Sequence, residues 1–502
     1  MTFLPIVQRE LRAAARRRST FRVRWWAVVL GLGLTFISLL FVMASGRRSV
    51  GNPLFSMLTG YAFGVAMLAG VFLTSDALTE EKREGTLGLL FLTDLKGYDV
   101  VLGKFIAQSL NAFYCLLALL PVTALPMLFG GVVGAEFWRM ALGLANTLFF
   151  SLAAGMCVSA CMRDSQRAMA NTLGLLLLLV AALPLLRGFV GSLRIPAFWS
   201  VLALVSPLYP YVYSAEILYP RHSGTYWGSL AASNLLGWLF LGAASLVLPR
   251  MVQERAWLRK GRREAARSGP PPRVCDGHAA RVSGNPVQWL RRDELGFPWL
   301  FWMIVLASTT TVALLVLFGG ADSAIWLGEA TRPFGFLLKV LFAIQACRFF
   351  VEARRSGAME LLLSTALTDQ EIIRGQIKAL WLTFAWPVGV FVVGLFASFA
   401  VRVGTALAKS QYDLLMASLG GVFFSTVYSL RLVADLFAIL WFGMGLALTS
   451  KKPSLAPALT ILFVLVLPGP LSFCWIDILI DLVFISWGTN KCRQNLRRLI
   501  AG

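Results

Sequence analysis

Apolar runs of about twenty residues recur along the chain, separated by short polar segments, and no stretch alternates apolar and polar positions as a barrel strand would. The clearest runs are Trp25–Ala44, Phe137–Met162, Ala168–Leu186, Trp299–Phe318 and Ala379–Ala400. A helix crosses the hydrocarbon core with roughly 20 apolar residues. Backbone groups in lipid must be paired within their own segment, so these runs predict helices. Twelve are predicted, over residues 25–44, 57–76, 103–130, 137–162, 168–186, 229–249, 299–318, 333–351, 379–400, 425–449, 454–470 and 472–489. The predicted fold class is all-α, a polytopic membrane helix bundle.

Composition agrees with that pattern. Of the 502 residues, 58% are hydrophobic and 14% charged, against about 25% charged in soluble domains. The net charge of +21 would raise nucleic acid as a partner if the chain were soluble. Its placement answers differently, because most Lys and Arg fall on the side of the predicted bundle that carries the amino terminus. Arg16, Arg17 and Arg18 precede the first span, and Arg497 and Arg498 follow the last. The positive-inside rule puts both termini in the cytoplasm, with the basic segments against anionic lipid headgroups and no nucleic acid implied. The first run is long and lacks a small-residue cleavage site, so it reads as a retained span. The seven cysteines form no pair in outward loops, so no disulfide framework is expected. Cys157 and Cys161 lack His or carboxylate neighbours and read as packing residues; no metal is expected.

The longest polar stretch, Arg250 to Phe297, contains Arg259-Lys260-Gly261-Arg262-Arg263 and then Pro270-Pro271-Pro272. It reads as a cytoplasmic connector, helical at first and extended through the prolines. On either side the sequence repeats itself. Residues 80–104 align without a gap onto 352–376 at an offset of 272, with eight identities in 25 positions: Glu80/Glu352, Arg83/Arg355, Gly85/Gly357, Leu89/Leu361, Leu90/Leu362, Thr93/Thr365, Leu95/Leu367 and Gly103/Gly375. Asp99 faces Glu371 in the same register. Gly155-Met156 is echoed by Gly443-Met444, Ala170 and Thr172 by Ala458 and Thr460, and Val7-Gln8 by Val287-Gln288. Echoes in one order predict duplication of a six-span unit. The bundle of about 12 transmembrane helices is therefore expected as two six-helix repeats. The expected domains are 1–249, a linker over 250–284, and 285–502.

In each half the repeated segment falls between the second and third spans. Glu80, Glu81, Lys82, Arg83 and Glu84 are charged, Thr86 to Leu92 is apolar, and Gly85 stands at the join where a bend costs little. The pattern predicts a short helix along the membrane, a turn, and return into the bilayer. Such a helix could anchor the fold or serve as a docking element. Its occurrence twice, at matched positions, favours docking.

The run from Asp76 to Lys104, DALTEEKREGTLGLLFLTDLKGYDVVLGK, resembles the signature of ABC-2 type transporter permeases. An acidic–basic stretch is followed by Gly-Thr, a Leu-rich stretch, a turn, and Gly-Lys opening the third span. The resemblance implies six spans per unit and an amphipathic helix before the first, which Leu4–Leu11 and Asn285–Leu290 fit. It also implies a coupling helix between the second and third spans. Glu80, Glu81, Arg83, Glu84, Gly85, Thr86, Glu352, Arg355 and Gly357 are then the expected ATPase-coupling residues. The second half departs from the first at Ala358, Glu360, Arg374 and Gln376, where the first has Thr86, Gly88, Leu102 and Lys104. The family works with cytoplasmic ATP-binding cassette subunits, so the implied partners are two ATPase subunits per chain. ATP would be bound by the partner, with no cofactor in this chain. The implied role is a permease subunit of an exporter, in the inner (plasma) membrane of a bacterium. The sequence has no G-x-x-x-x-G-K-[ST] loop, so no nucleotide chemistry is expected from the chain itself.

Ionisable residues inside spans are the remaining candidates. Arg431 and Asp435 stand four apart on one helix face, as do Asp477 and Asp481. They form a candidate intramembrane polar site, bordering a cation or proton path, or else a structural bond between helices through Arg431. The first reading supports an ion-coupled secondary transporter as the alternative function. An intramembrane metalloenzyme is disfavoured, since His222 and His278 both lie outside the spans. The aromatic segment Arg187–Ser229 is expected at the outer interface, sealing the bundle or capping an exit.

Overall fold

The computed structural model describes residues 8, 12, 18–44, 50–74, 77–84, 96–162, 165–182, 204–268, 302–310, 323–365, 367–408, 412–450, 455–466, 468 and 476–493. These residues form helices and turns, with no strand among them. The chain divides into two compact units, Met1–Pro272 and Arg273–Gly502.

In the first unit, α1 (Arg18–Ala44) and α2 (Gly51–Ala69) are joined by a short connection, and α2 ends in a widened π turn, Gly70–Thr74. A one-turn helix, α3 (Thr79–Glu84), precedes α4 (Gly97–Ala124), which tightens into Leu125–Phe129. Then follow α5 (Gly134–Cys161), α6 (Ser165–Leu177) with a π turn at Leu178–Ala182, α7 (Leu208–Val212) and α8 (Tyr219–Ser268). The basic start of the predicted connector continues α8 as helix as far as Ser268. The second unit opens with helical residues 302–310. It continues with α9 (Ser323–Ser356), α10 (Ala358–Leu363), α11 (Asp369–Ala408), α12 (Tyr412–Thr449), α13 (Ala456–Ile461) with its π turn Leu462–Val466, and α14 (Ile476–Arg493).

Among the described residues seven helices are long and apolar enough to cross a membrane: Gly51–Thr74, Gly97–Phe129, Gly134–Cys161, Tyr219–Arg250, Phe334–Arg354, Asp369–Ala397 and Ser425–Thr449. Gly31–Leu40, Arg167–Val180 and Ala456–Val466 are shorter apolar helices. The protein is a polytopic all-α membrane bundle. Every predicted span has helix within its bounds among the described residues. The segments Leu4–Leu11, apart from Gln8, and Asn285–Leu290, expected as amphipathic helices, lie outside the described residues.

Lipid supplies no hydrophobic drive between helices, so association depends on close backbone approach and interhelical hydrogen bonds. α5 is built for this. Ser151-Leu152-Ala153-Ala154-Gly155-Met156 is buried throughout, and α2, α4, α6 and α8 all pack on α5. A Cβ on Gly155 would stand 2.3 Å from the Gly70 carbonyl oxygen and 2.2 Å from Thr74 Oγ1. Thr74 Oγ1 donates to Leu152 O at 2.9 Å, and Ser151 Oγ donates to Ala66 O at 2.6 Å. Toward α8, Asn146 Nδ2 donates to Ser233 Oγ at 2.7 Å, and Asn146 Oδ1 accepts from Asn234 Nδ2 at 3.2 Å. In the second unit α12 takes the central place, packed by α9, α11, α13 and α14. Gly488 on α14 lies against the α12 backbone, where a Cβ would be 2.4 Å from Trp441 C. Large side chains that stay exposed, such as Trp238, Leu239, Trp386 and Val393, are the lipid-facing surface of the spans.

Gly155→Leu is expected to force α5 and α2 apart, costing about 1–3 kcal/mol or more as overpacking. Gly64→Ala, facing open space on α2, should be close to neutral. Thermal unfolding of the two variants in detergent measures the contrast; equal stability would show that α5 does not need this approach.

Candidate functional site

At the end of α2 the chain turns through Ala77-Leu78 into α3. Leu78 N donates to Ser159 Oγ at 3.1 Å, so the start of α3 is bonded to the last turn of α5. One turn on, Lys82 is almost fully buried, 6% exposed. Its Nζ donates to the carbonyl oxygens of Ser159 (2.8 Å) and Met162 (3.1 Å), and also to that of Ala160. These carbonyls belong to the carboxyl end of α5. The last four C=O groups of any helix lack intrahelical partners, and a cation there also meets the negative end of the helix dipole. A buried ammonium is costly unless it is fully bonded; here each of its hydrogens finds a carbonyl. The neighbouring Glu81 pairs with Lys104 on α4 at 2.6 Å, and Lys104 Nζ also donates to Ala77 O at 3.0 Å. α3 is thus fastened to α5 by one residue and to α4 by the one before it. Asp99 opens α4 by accepting from Lys96 N at 3.1 Å, the acidic half of an N-terminal capping box.

The second unit repeats this construction with different residues. Arg354, at the carboxyl end of α9, donates through Nη1 to the carbonyl oxygens of Ala447 (2.9 Å), Leu448 (3.0 Å) and Ser450 (3.0 Å). Those carbonyls close α12. Arg354 stands 272 residues after Lys82, and its acceptors stand 288 after Ser159, Ala160 and Met162. Glu371 accepts from Thr368 N at 2.8 Å at the start of α11, as Asp99 does from Lys96. Gln376, at the Lys104 position, donates to Ala346 O at 3.4 Å. Ala353 occupies the Glu81 position, so both members of the Glu81–Lys104 pair are replaced together. Gly357 takes φ +73° between α9 and α10, a left-handed conformation that favours glycine. Beyond it α10 buries Met359 and presents Glu360 and Leu361, the latter 71% exposed.

The predicted coupling residues fall out as follows. Glu80, Glu81, Arg83 and Glu84 lie on α3, and Glu352 and Arg355 lie in the last turns of α9. The side chains of Glu80, Arg83, Glu84 and Arg355, together with all of Gly85 and Thr86, lie outside the described residues. Glu81 contacts α4, and Gly357 makes the bend. Lys82 and Arg354 were missed as site residues because each sits in a charged run that reads as solvated. The signal that could have found them is their shared offset with Asp99 and Glu371.

Among the intramembrane candidates, Arg431 on α12 forms an ion pair with Asp477 on α14. Asp435 pairs with Lys339 on α9, a cation within a predicted span that sequence reasoning passed over. Asp481 is buried one turn beyond Asp477. The pairs tie three helices of the second unit together. No group of three or more His, Cys, Asp or Glu able to hold a metal occurs among the described residues. Cys115, Cys157, Cys161, Cys347 and Cys492 are free thiols.

At the opposite end of α5, Arg139 pairs with Glu216, donates to Ser214 O at 3.2 Å and stands 4.0 Å above the Tyr219 ring. Tyr226 donates to Arg139 O at 2.9 Å, and Tyr211 packs on Phe63 at 4.7 Å. The described part of the aromatic segment is thereby bound to α2 and α5. Phe198 and Trp199 lie outside the described residues.

Residues 7–251 match the ABC-2 family of transporter proteins. A search of curated proteins gave no match.

Removing one partner of a buried ion pair leaves a charge uncompensated. Asp477→Ala should therefore destabilise the second unit by about 3 kcal/mol, and Arg431→Met combined with Asp477→Leu should recover most of it. A double-mutant cycle on thermal unfolding in nanodiscs checks this; additive losses would mean that the pair is not energetically coupled.

Proposed function

We propose that this integral membrane protein, whose residues 7–251 match the ABC-2 family of transporter proteins, is the permease subunit of an ATP-driven exporter. Its amino-terminal and carboxyl-terminal ends face the cytoplasm of a bacterial cell, and a separate ATPase binds and hydrolyses ATP. The observation that carries the reading is the rooting of α3. The segment that resembles the family's coupling helix begins with one residue bonded to α4 and the next to α5. A push on that segment therefore reaches two spans at once. Glu80, Glu81, Arg83, Glu84, Gly85 and Thr86 are the residues assigned to ATPase docking in this unit.

Residues 285–502 act as a second unit of the same kind, docking a second ATPase subunit through Glu352, Arg355 and Gly357. In support, a helix-capping cation and an acidic residue that caps a helix start recur at one constant offset, and the carbonyls that the cation serves recur at another. One chain then serves two ATPase subunits, with the basic connector along the headgroups. The alternative, an ion-coupled secondary transporter, draws on Asp435, Asp477 and Asp481. Pairing of Asp435 and Asp477 with Lys339 and Arg431 fits a structural role better.

Purification of the intact complex is expected to bring down an ATPase at two subunits per permease chain. Transport in inverted vesicles should require ATP hydrolysis and be lost in Glu84→Ala or Gly85→Pro. Two permease chains per complex would overturn the fused arrangement, and cargo movement on an ion gradient alone would overturn the ATP-driven reading. Asp477→Asn should leave transport itself intact.

A further inference from the structure

We infer that Lys82 and Arg354 are the positioning residues that carry movement of the two cytoplasmic segments into the central helix of each unit, α5 and α12. This rests on the ATP-driven reading and adds the route by which force enters the bundle.

Three observations carry it. First, each cation gathers three carbonyl oxygens at the carboxyl end of one helix, and no other residue type of similar length could do so. Lysine presents three N–H donors and arginine five, with no acceptor to repel the carbonyls. Charge-assisted bonds of this kind are about twice as strong as neutral ones. Second, the helix that is held is the one on which most other helices of its unit pack, so displacement of its end is passed on to them. Third, the side-chain chemistry changes between units while the geometry is kept. Lys82 sits on α3 and Arg354 in the last turns of α9, yet each reaches the same three places on its target, the carbonyls of residues 159, 160 and 162 or of 447, 448 and 450. By contrast the Glu81–Lys104 pair, which ties α3 to α4, is replaced at the matching positions by Ala353 and Gln376. The bond to the central helix is common to both units; the bond to the third span is not.

The same geometry makes an end-on linkage. The Nζ of Lys82 lies beyond the end of α5, so a pull on α3 acts through the open carbonyls of its last turn and cannot slide past them as an apolar contact could. α5 itself carries the reporter. Cys161 lies in the turn that Lys82 caps and is partly accessible.

The test uses the full chain with Cys161 as its sole cysteine, in the assembled complex in nanodiscs. Alkylation of Cys161 by a membrane-permeant maleimide is followed with and without vanadate-trapped ATP. In the parent chain, trapping should change the rate several-fold. Lys82→Gln should abolish that response while the ATPase still co-purifies and hydrolyses ATP, and Lys82→Arg should restore it. A response that survives in Lys82→Gln overturns the inference. Hydrogen exchange on the permease alone separates the two levels: amides near residues 159–162 should lose protection in Lys82→Gln, and those near 447–450 in Arg354→Gln. Unchanged protection overturns the clamps themselves, whatever the partner. Intact clamps in a chain that recruits no ATPase would refute the function above and leave the helix caps standing, but without a coupling role. The exchange of Lys82→Arg with Arg354→Lys keeps both charges, so it should fold and respond; its failure to respond would also count against the inference.

Discussion

A helix that ends inside a bundle leaves its last carbonyls without partners, and neither lipid nor apolar side chains can supply them. Each unit meets this constraint at its central helix in the same way. The cation comes from the neighbouring chain segment that leaves the second span. Lys82 closes α5 and Arg354 closes α12. Helix end and cation satisfy one another, with Lys82 buried and Arg354 half-buried against the carbonyls they close.

Around those two capped helices the rest of each bundle is assembled by close approach. Gly155 against Gly70 and Thr74, and Gly488 against Trp441, bring backbones together where a methyl group would collide. Hydroxyl and amide side chains then add interhelical bonds: Thr74 to Leu152 and Asn146 to Ser233 in the first unit. The second unit uses charge at the comparable level, pairing Arg431 with Asp477 and Lys339 with Asp435. The two units share the capped ends and differ in how their spans are held together in between. That division fits a common point of force entry with separately evolved interiors.

Much of the fold was legible in the sequence because the bilayer imposes a length and polarity rule on each span independently. The runs at 137–162 and 425–449 needed no knowledge of their neighbours. Asp99 and Glu371 were matched by register alone, and their capping of α4 and α11 follows from their place three residues after Lys96 and Thr368. The bend at Gly357 followed from its place between a charged and an apolar stretch. The ion pairs were less legible. Arg431 and Asp435 share a helix face, so they looked like partners, but Asp435 meets Lys339 and Arg431 meets Asp477. A spacing of four residues says which side chains point the same way, and not which neighbouring helix they point toward.

The sequence by itself determined that this chain is a helical membrane protein and that its halves echo one another. These are properties of local composition and register. Only the tertiary structure decided which charged residues are solvated and which are buried. In the run Glu80 to Glu84, Lys82 looks no different from Arg83, yet it lies under the end of α5 because it stands one turn after the bond from Leu78 to Ser159 at the start of α3. That placement depends on a helix some eighty residues later in the chain, and no local pattern encodes it.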